Sequence, residues 1–135
     1  MKRVIVFFLL SLVIFPIIAC QSGGSGTPGA TVEYEIKPAP IEELRISFAK
    51  SLPPQVIVYI KGGLADAATV FNEIKVGELK DKTVTITVTT RRPKGVPAAQ
   101  VYGYFEQNVN LGSNFTQGQT YKVNVNDKSV EFVMQ

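Results

Sequence analysis

The chain of 135 residues holds one cysteine, Cys20, and no histidine. Imidazole-activated nucleophiles, Cys–His pairs and ordinary zinc sites all need a group that these two facts remove. Carboxylates, hydroxyls, tyrosines and a few bases remain. Glu42 and Glu43 are adjacent, so on a strand they project from opposite faces and cannot share a proton as a catalytic pair. Glu33 and Glu35 do share a face, and with Asp66 or Asp127 they compose a candidate calcium set. The spaced acidic loop that calcium prefers is missing, and surface charge is the simpler reading. Thr83, Thr85, Thr87 and Thr89 form a row of hydroxyls, but one strand is too narrow for a flat ice- or sugar-binding array, and threonine is ordinary on a solvent-facing strand. The expectation is a protein that is not an enzyme, with no cofactor and no metal site.

Cys20 has a context rather than a catalytic partner. Lys2 and Arg3 precede an apolar run, "VIVFFLLSLVIFPII", from Val4 to Ile18, and then come Ala19 and Cys20. The run suits the core of a secretory signal and is shorter than the roughly 20 residues needed to span a bilayer. Pro16 is placed to end a helix and leave the following backbone extended for a peptidase. Ile17-Ile18-Ala19-Cys20 resembles the lipobox of bacterial lipoproteins. That resemblance implies cleavage between Ala19 and Cys20, a thioether-linked diacylglycerol on Cys20, and fatty acylation, such as palmitate, of the new amino terminus. At about 0.8 kcal/mol per buried CH₂, one acyl chain binds marginally, whereas two or three anchor stably. The first expected partner is therefore the membrane, reached through a lipid. Gln21 stands where enteric lipoproteins retained at the inner membrane carry aspartate. The expected address is the bacterial cell envelope, at the outer membrane if the cell has two, with the domain facing the periplasm or the exterior.

The elements that must position the remaining groups begin after a tether. Residues 1–19 read as the signal peptide, 20–31 as a flexible lipidated linker containing "QSGGSGTPG", and 32–135 as one domain. Of 14 Lys and Arg, Lys2 and Arg3 leave with the signal; the remaining 12 stand against 11 Asp and Glu, a mature net charge of +1. Arg91, Arg92 and Lys94 are the only basic cluster, and no series of stacking aromatics accompanies them, so no nucleic-acid partner is expected and the cluster reads as a solvated turn. With the thiol consumed, the domain must hold together without a disulfide.

Hydrophobic periodicity in the domain is two throughout. Leu44, Ile46 and Phe48 alternate with polar residues; Val56, Val58 and Ile60 oppose Ile57, Tyr59 and Lys61; a short strand runs from Val70 to Val76. Lys80-Asp81-Lys82 reads as a turn into the strand "TVTITVTTRRP", with Val84, Ile86 and Val88 inward and Pro93 and Gly95 at its end. In "QVYGYFEQNVNL", Gln100 to Leu111, Gly103 interrupts an aromatic strand and marks a bulge or a close backbone approach. Tyr121, Val123 and Val125, a turn at Asn126-Asp127-Lys128, and "SVEFVMQ" make a hairpin. An edge strand over Thr31 to Lys37 completes an all-β fold, a β-sandwich of about seven strands.

From Pro40 to Gln135 the stretches "KSLPPQVIVYIKGGLADAATVFNEI", "VTITVTTRRP" and "TYKVNVNDKSVEF" resemble an immunoglobulin-like domain of bacterial envelope and secreted proteins that has no settled biochemical activity. Its members often carry a cysteine pair at the positions of Ala68 and Ala98, which implies that these two residues lie close together on facing loops or strands. "TTRRPKG" also resembles the arginine–proline loop of chagasin-type protease inhibitors, which share an immunoglobulin-like fold. Their motif continues with tryptophan, absent from this chain.

The leading expectation is a lipid-anchored envelope protein acting as a binding or structural module for an envelope protein or polysaccharide. The candidate binding residues are Tyr59, Arg91, Arg92, Tyr102 and Tyr104, with Phe105 beside them, because aromatics and arginine dominate interfaces. The alternative is a protease inhibitor acting through the loop Arg91 to Pro97.

Overall fold

A computed structural model describes residues 31–135. The expected signal peptide, the expected cleavage site at Ala19–Cys20 and the expected linker up to residue 30 lie outside the described residues. Eight strands follow one another: β1 (Tyr34–Pro38), β2 (Ile41–Ala49), β3 (Gln55–Leu64), β4 (Val70–Val76), β5 (Thr83–Pro93), β6 (Gly103–Gly112), β7 (Thr120–Val125) and β8 (Lys128–Val133). Among the described residues no helix is long and apolar enough to cross a membrane.

Strict alternation decides which faces are buried. Val56, Val58 and Ile60 of β3, Ile86 and Val88 of β5, and Val123 and Val125 of β7 are fully buried, and Val84 nearly so. Each such side chain contributes about 1.5–3 kcal/mol on leaving water. Phe105, Tyr121, Phe132 and Met134 close the same core. At one end, Phe115 packs edge-on against Tyr121 and Phe132, with centroids 5.0 and 5.6 Å apart.

The strands form two sheets. One is three-stranded, ordered β2–β3–β6 and antiparallel throughout. The other has five strands organised around β5. β4 occupies one edge of β5, while the opposite edge is shared in tandem by β7 and β1, with β8 beyond β7. β7 runs parallel to β5 over Thr83–Ile86, and β1 runs antiparallel over Thr89–Pro93. Val88 lies at the changeover. Its N–H donates to Asn126 Oδ1 (3.0 Å), and its carbonyl accepts from Asn126 Nδ2 (2.8 Å) and from the backbone N–H of Ala39 (2.9 Å). Asn126 Nδ2 also donates to the Ala39 carbonyl at 2.7 Å. The carboxamide thus replaces a peptide group of the missing neighbour strand, which a buried backbone donor requires. The sequence marks Asn126 only as a turn residue. The turn does form, with φ +49° at Asn126, a value asparagine tolerates better than most residues.

Lys80-Asp81-Lys82 turns as expected. Asp81 (φ +49°) and Lys82 (φ +61°) carry the reversal, and Lys80 and Thr83 exchange backbone hydrogen bonds of 2.9 and 2.8 Å.

Three expectations are corrected. Gly103 does not interrupt a strand: β6 begins there, and a Cβ at that position would meet only Leu64 at ordinary contact distance. The close approaches are at Gly62 and Gly63 of β3, where a Cβ would run into the rings of Phe105 and Tyr102. Arg91, Arg92 and Pro93 are not part of an exposed loop but the end of β5, because β1 and β4 pair on either side of it. Finally, a bulge between Ile41 and Glu43 breaks the alternation that would separate Glu42 from Glu43, and both are exposed.

The Val88 junction generates a stability prediction. Asn126→Ala removes three hydrogen bonds and leaves the Val88 N–H without its partner, a loss of about 2–4 kcal/mol. Asn126→Gly keeps the turn's φ but not the carboxamide, and should lose nearly as much in urea unfolding. A glycine variant as stable as the parent would assign the role to the turn instead.

Candidate functional site

Tyr102 and Tyr104 meet on the outer face of the three-stranded sheet, and Tyr59 lies on the same face two register rows away. The inward rows of β3 and β6 are taken up by the core, so alternation sends Tyr59 and Lys61 of β3, and Tyr104, Glu106 and Asn108 of β6, outward. Register sets the rows: Glu43, Lys61 and Glu106 lie side by side, and Arg45, Tyr59 and Asn108 form the next row. The Arg45 guanidinium lies 4.3 Å from the centroid of Tyr59, and Lys61 Nζ 4.5 Å from that of Tyr104. Arg45 also pairs with Glu43 at 2.8 Å.

Tyr102 precedes β6 and extends over Gly63, a packing that only glycine allows there. Its hydroxyl donates to Glu42 Oε1 at 2.7 Å, which the bulge in β2 brings within reach. That hydrogen bond to the carboxylate raises the pKa of the Tyr102 phenol above its ordinary value. Tyr102 and Tyr104 meet edge-to-face, centroids 5.3 Å apart, and remain 48% and 56% exposed. Tyr59 is half-buried beneath Arg45. Phe105 does not belong to this surface: it faces inward, buried over Gly62 and 5.2 Å from the ring of Phe71.

The two arginines part company, because neighbours on one strand project to opposite faces. Arg91 is exposed, 5.2 Å from the Tyr34 ring of β1. Arg92 is a half-buried tie rather than part of a solvated turn. Its Nε donates to Asp66 Oδ2 at 2.7 Å, and its terminal nitrogens donate to the carbonyls of Pro93 (3.2 Å) and Val96 (2.9 Å). Asp66, 8% exposed, also accepts from the Thr69 hydroxyl (2.6 Å) and the backbone N–H groups of Thr69 (2.8 Å) and Ala68 (3.1 Å). These bonds, the Thr69 hydroxyl and then the Arg92 guanidinium foremost, hold the Asp66 carboxyl down to about 2. Lys94 in turn pairs with Glu33. The cluster that reads as three free bases is therefore dispersed over three partners.

Asp66, Thr69 and Arg92 floor a cleft of about 380 Å³ whose mouth carries Glu35 and Lys37. Lys37 pairs with Glu35 at 2.9 Å and lowers its pKa. Both acids of the cleft are thus ionised at neutral pH, and neither holds a proton to donate. No buried polar side-chain atom among the described residues lacks a partner, so the Asp66–Arg92 tie reads as a latch joining the β3–β4 loop to the end of β5 and the loop that follows. The Ala67 N–H donates to the Ala99 carbonyl at 3.1 Å across the same loops, which brings the surroundings of Ala68 and Ala98 together as the family resemblance implies. A second concavity of about 520 Å³, lined by Pro38, Ala39, Pro40, Thr87, Asn126 and Asp127, overlies the Val88 junction. Among the described residues no three of Cys, Asp and Glu converge as a metal site.

Sequence reasoning named the tyrosines but not Asp66 as the partner of Arg92, Glu42 as the acceptor for Tyr102, or Lys61 as the cation over Tyr104. A sequence signal existed only for Asp66, whose spacing to Thr69 suits a side chain that caps its own turn.

Comparison with known proteins gives a consistent fold. Residues 58–134 match the profile of the ORF11 beta-sandwich domain. The chain is 38% identical over 87 residues to the "Uncharacterized 10.2 kDa protein in HgiCIIM 5′region" of Herpetosiphon aurantiacus, an alignment covering 64% of this chain and 90% of that protein. It is also 38% identical over 77 residues to the uncharacterised 10.2 kDa proteins of the HgiBIM and HgiEIM 5′ regions of the same organism, covering 57% of this chain and 92% of each. No solved structure matches.

The latch carries a pH dependence. The folded-state pKa of Asp66 lies below its ordinary 3.8, so its contribution to stability is full above about pH 4 and is lost as pH falls towards 2. Thermal unfolding of the parent should weaken across that window, whereas Asp66→Asn should be less stable at pH 7 and show a flatter profile between pH 5 and 2. Equal acid sensitivity in both proteins would contradict the assignment.

Proposed function

The chain belongs to the ORF11 beta-sandwich domain family, and from that footing we propose that it is a lipid-anchored protein of the bacterial cell envelope whose sandwich is a non-enzymatic binding module. The binding surface is the outer face of β2, β3 and β6. The observation that carries the reading is the exposed edge-to-face pair of Tyr102 and Tyr104 on this face, with Tyr59 half-buried on the same face two register rows further along. A tyrosine buries large area at low entropy cost and retains a hydroxyl for polar contacts, a combination that serves an envelope protein or a polysaccharide equally. Arg45 and Lys61, laid over two of the rings, hold them in place with little mobile side chain left to order on binding.

The anchor half of the proposal rests on residues 14–29. An apolar run, a small residue, the only cysteine and a glycine- and serine-rich stretch fit lipidation at Cys20 followed by a tether, and no packed role for that thiol is needed. The domain would then face the periplasm or the exterior. The protease-inhibitor alternative has less support: only Lys94 to Pro97 is left as loop, and the Arg92 guanidinium is committed to Asp66 and two carbonyls.

Two measurements test the halves separately. Protein isolated from its own host should have the intact mass of a diacylglyceryl-modified chain beginning at Cys20, and Cys20→Ala should leave the membrane fraction. Cosedimentation of the domain with purified envelope polysaccharide and with envelope membrane protein should reveal binding that falls about tenfold in Tyr104→Ser, the usual effect of losing a central aromatic anchor. Binding unchanged by Tyr104→Ser and Tyr59→Ser together would remove this face from the account.

A further inference from the structure

The five strands with a free edge in the two sheets are not equally guarded. β1 is short and carries Lys37 and Pro38; β2 has the Glu43 bulge and Arg45, and its Phe48 packs against Phe132 of β8; β4 has a bulge between Phe71 and Glu73 and a lysine at 75; β8 carries Lys128 and Glu131. Lysine, proline, bulges and cover are the devices that keep an edge from pairing. β6 lacks them. It is ten residues long, "GYFEQNVNLG", with one charged residue, no lysine and no proline, and its register is irregular only at its last residues. It pairs with β3 alone, and among the described residues no loop backbone hydrogen-bonds to it. Half of its backbone donors and acceptors are therefore left facing outward.

We propose that β6 pairs antiparallel with β6 of a second copy of this chain, about a twofold axis at Gln107. The strand's own sequence selects both the partner and the register. Centring on Gln107 sets Phe105 opposite Val109 twice on the core side, and Glu106 opposite Asn108 and Tyr104 opposite Asn110 twice on the outer side. No like charges meet, and the apolar pairs extend the core. Centring on Glu106 would oppose two carboxylates, and centring on Asn108 would place Gln107 against Val109. The pairing makes one six-stranded sheet, β2–β3–β6–β6–β3–β2, with both tyrosine faces on the same side. It does not depend on what that face binds.

The domain from Thr31 to Gln135 suits the test, since it holds the whole described core and the relatives consist of little else. Sedimentation equilibrium across a range of concentrations should show a reversible monomer–dimer equilibrium. Asn108 and Glu106 are both exposed, so charge changes at 108 leave the monomer fold intact, which circular dichroism verifies. Asn108→Glu puts a second carboxylate opposite Glu106 twice and should weaken the dimer roughly two- to thirtyfold, while Asn108→Lys should tighten it by a similar factor. Gln107→Cys should form a disulfide-linked dimer on oxidation. A domain that stays monomeric, variants at 108 that shift association the same way or not at all, or a Gln107→Cys variant that does not crosslink would each overturn the pairing.

Discussion

The architecture turns on the edge of β5 where one neighbour gives way to another. A strand in the middle of a sheet must satisfy its backbone groups on both sides, and β5 does so with β4 on one side and two strands in succession on the other. Parallel β7 stops at Ile86, antiparallel β1 starts at Thr89, and Val88 between them would be left with an unmet N–H. Asn126, at the turn from β7 to β8, supplies both an acceptor and a donor there and also binds the Ala39 carbonyl. One carboxamide therefore fixes β7 and β8 on β5 and the chain's departure from β1 towards β2. Moving it would leave Val88 and Ala39 without these bonds together.

With that junction closed, the buried rows of β3, β5 and β7 face one another and form the core of the domain, whose described residues include no cysteine. The same alternation that buries Val56, Val58 and Ile60 exports Tyr59 and Lys61. Polar groups inside the domain are spent on structure: Asp66 and Arg92 tie loops together, and the threonine row of β5 is divided between solvent and side-chain contacts such as that of Thr89 with Asn72. The exposed aromatic chemistry lies on the outer face of β2, β3 and β6, where Tyr102 meets Tyr104 and hydrogen-bonds Glu42, Lys61 lies over Tyr104, and Arg45 lies over Tyr59 further along the sheet.

Much of this was legible in the sequence because it is local. The turn at Asp81–Lys82, the β7–β8 hairpin, the inward rows of β3 and β5 and the outward projection of Tyr59 follow from period-two patterning and turn chemistry. What escaped depends on partners distant along the chain. Arg92 looks like a free base until β1 and β4 pair beside it and Asp66 approaches from 26 residues away. Glu42 follows alternation on paper, but the bulge releases it towards Tyr102. Gly62 and Gly63 drew no separate reading in the sequence, yet they are the positions where the rings of Phe105 in β6 and of Tyr102 before it need the space of a missing Cβ. Gly103, the glycine that drew attention, is simply where its strand begins. Asn126 is the sharpest case: its turn is local and readable, while its role is set by strands 38 and 87 residues away.

Amide hydrogen exchange followed residue by residue tests the organising claim most directly. Val88 has no strand neighbour for its N–H and relies on the Asn126 side chain alone, so its amide should exchange as slowly as those of the core strands, through global unfolding. If Val88 exchanges at the rate of an exposed edge amide while its flanking residues stay protected, the carboxamide does not close β5, and the sandwich is held at its centre by something else.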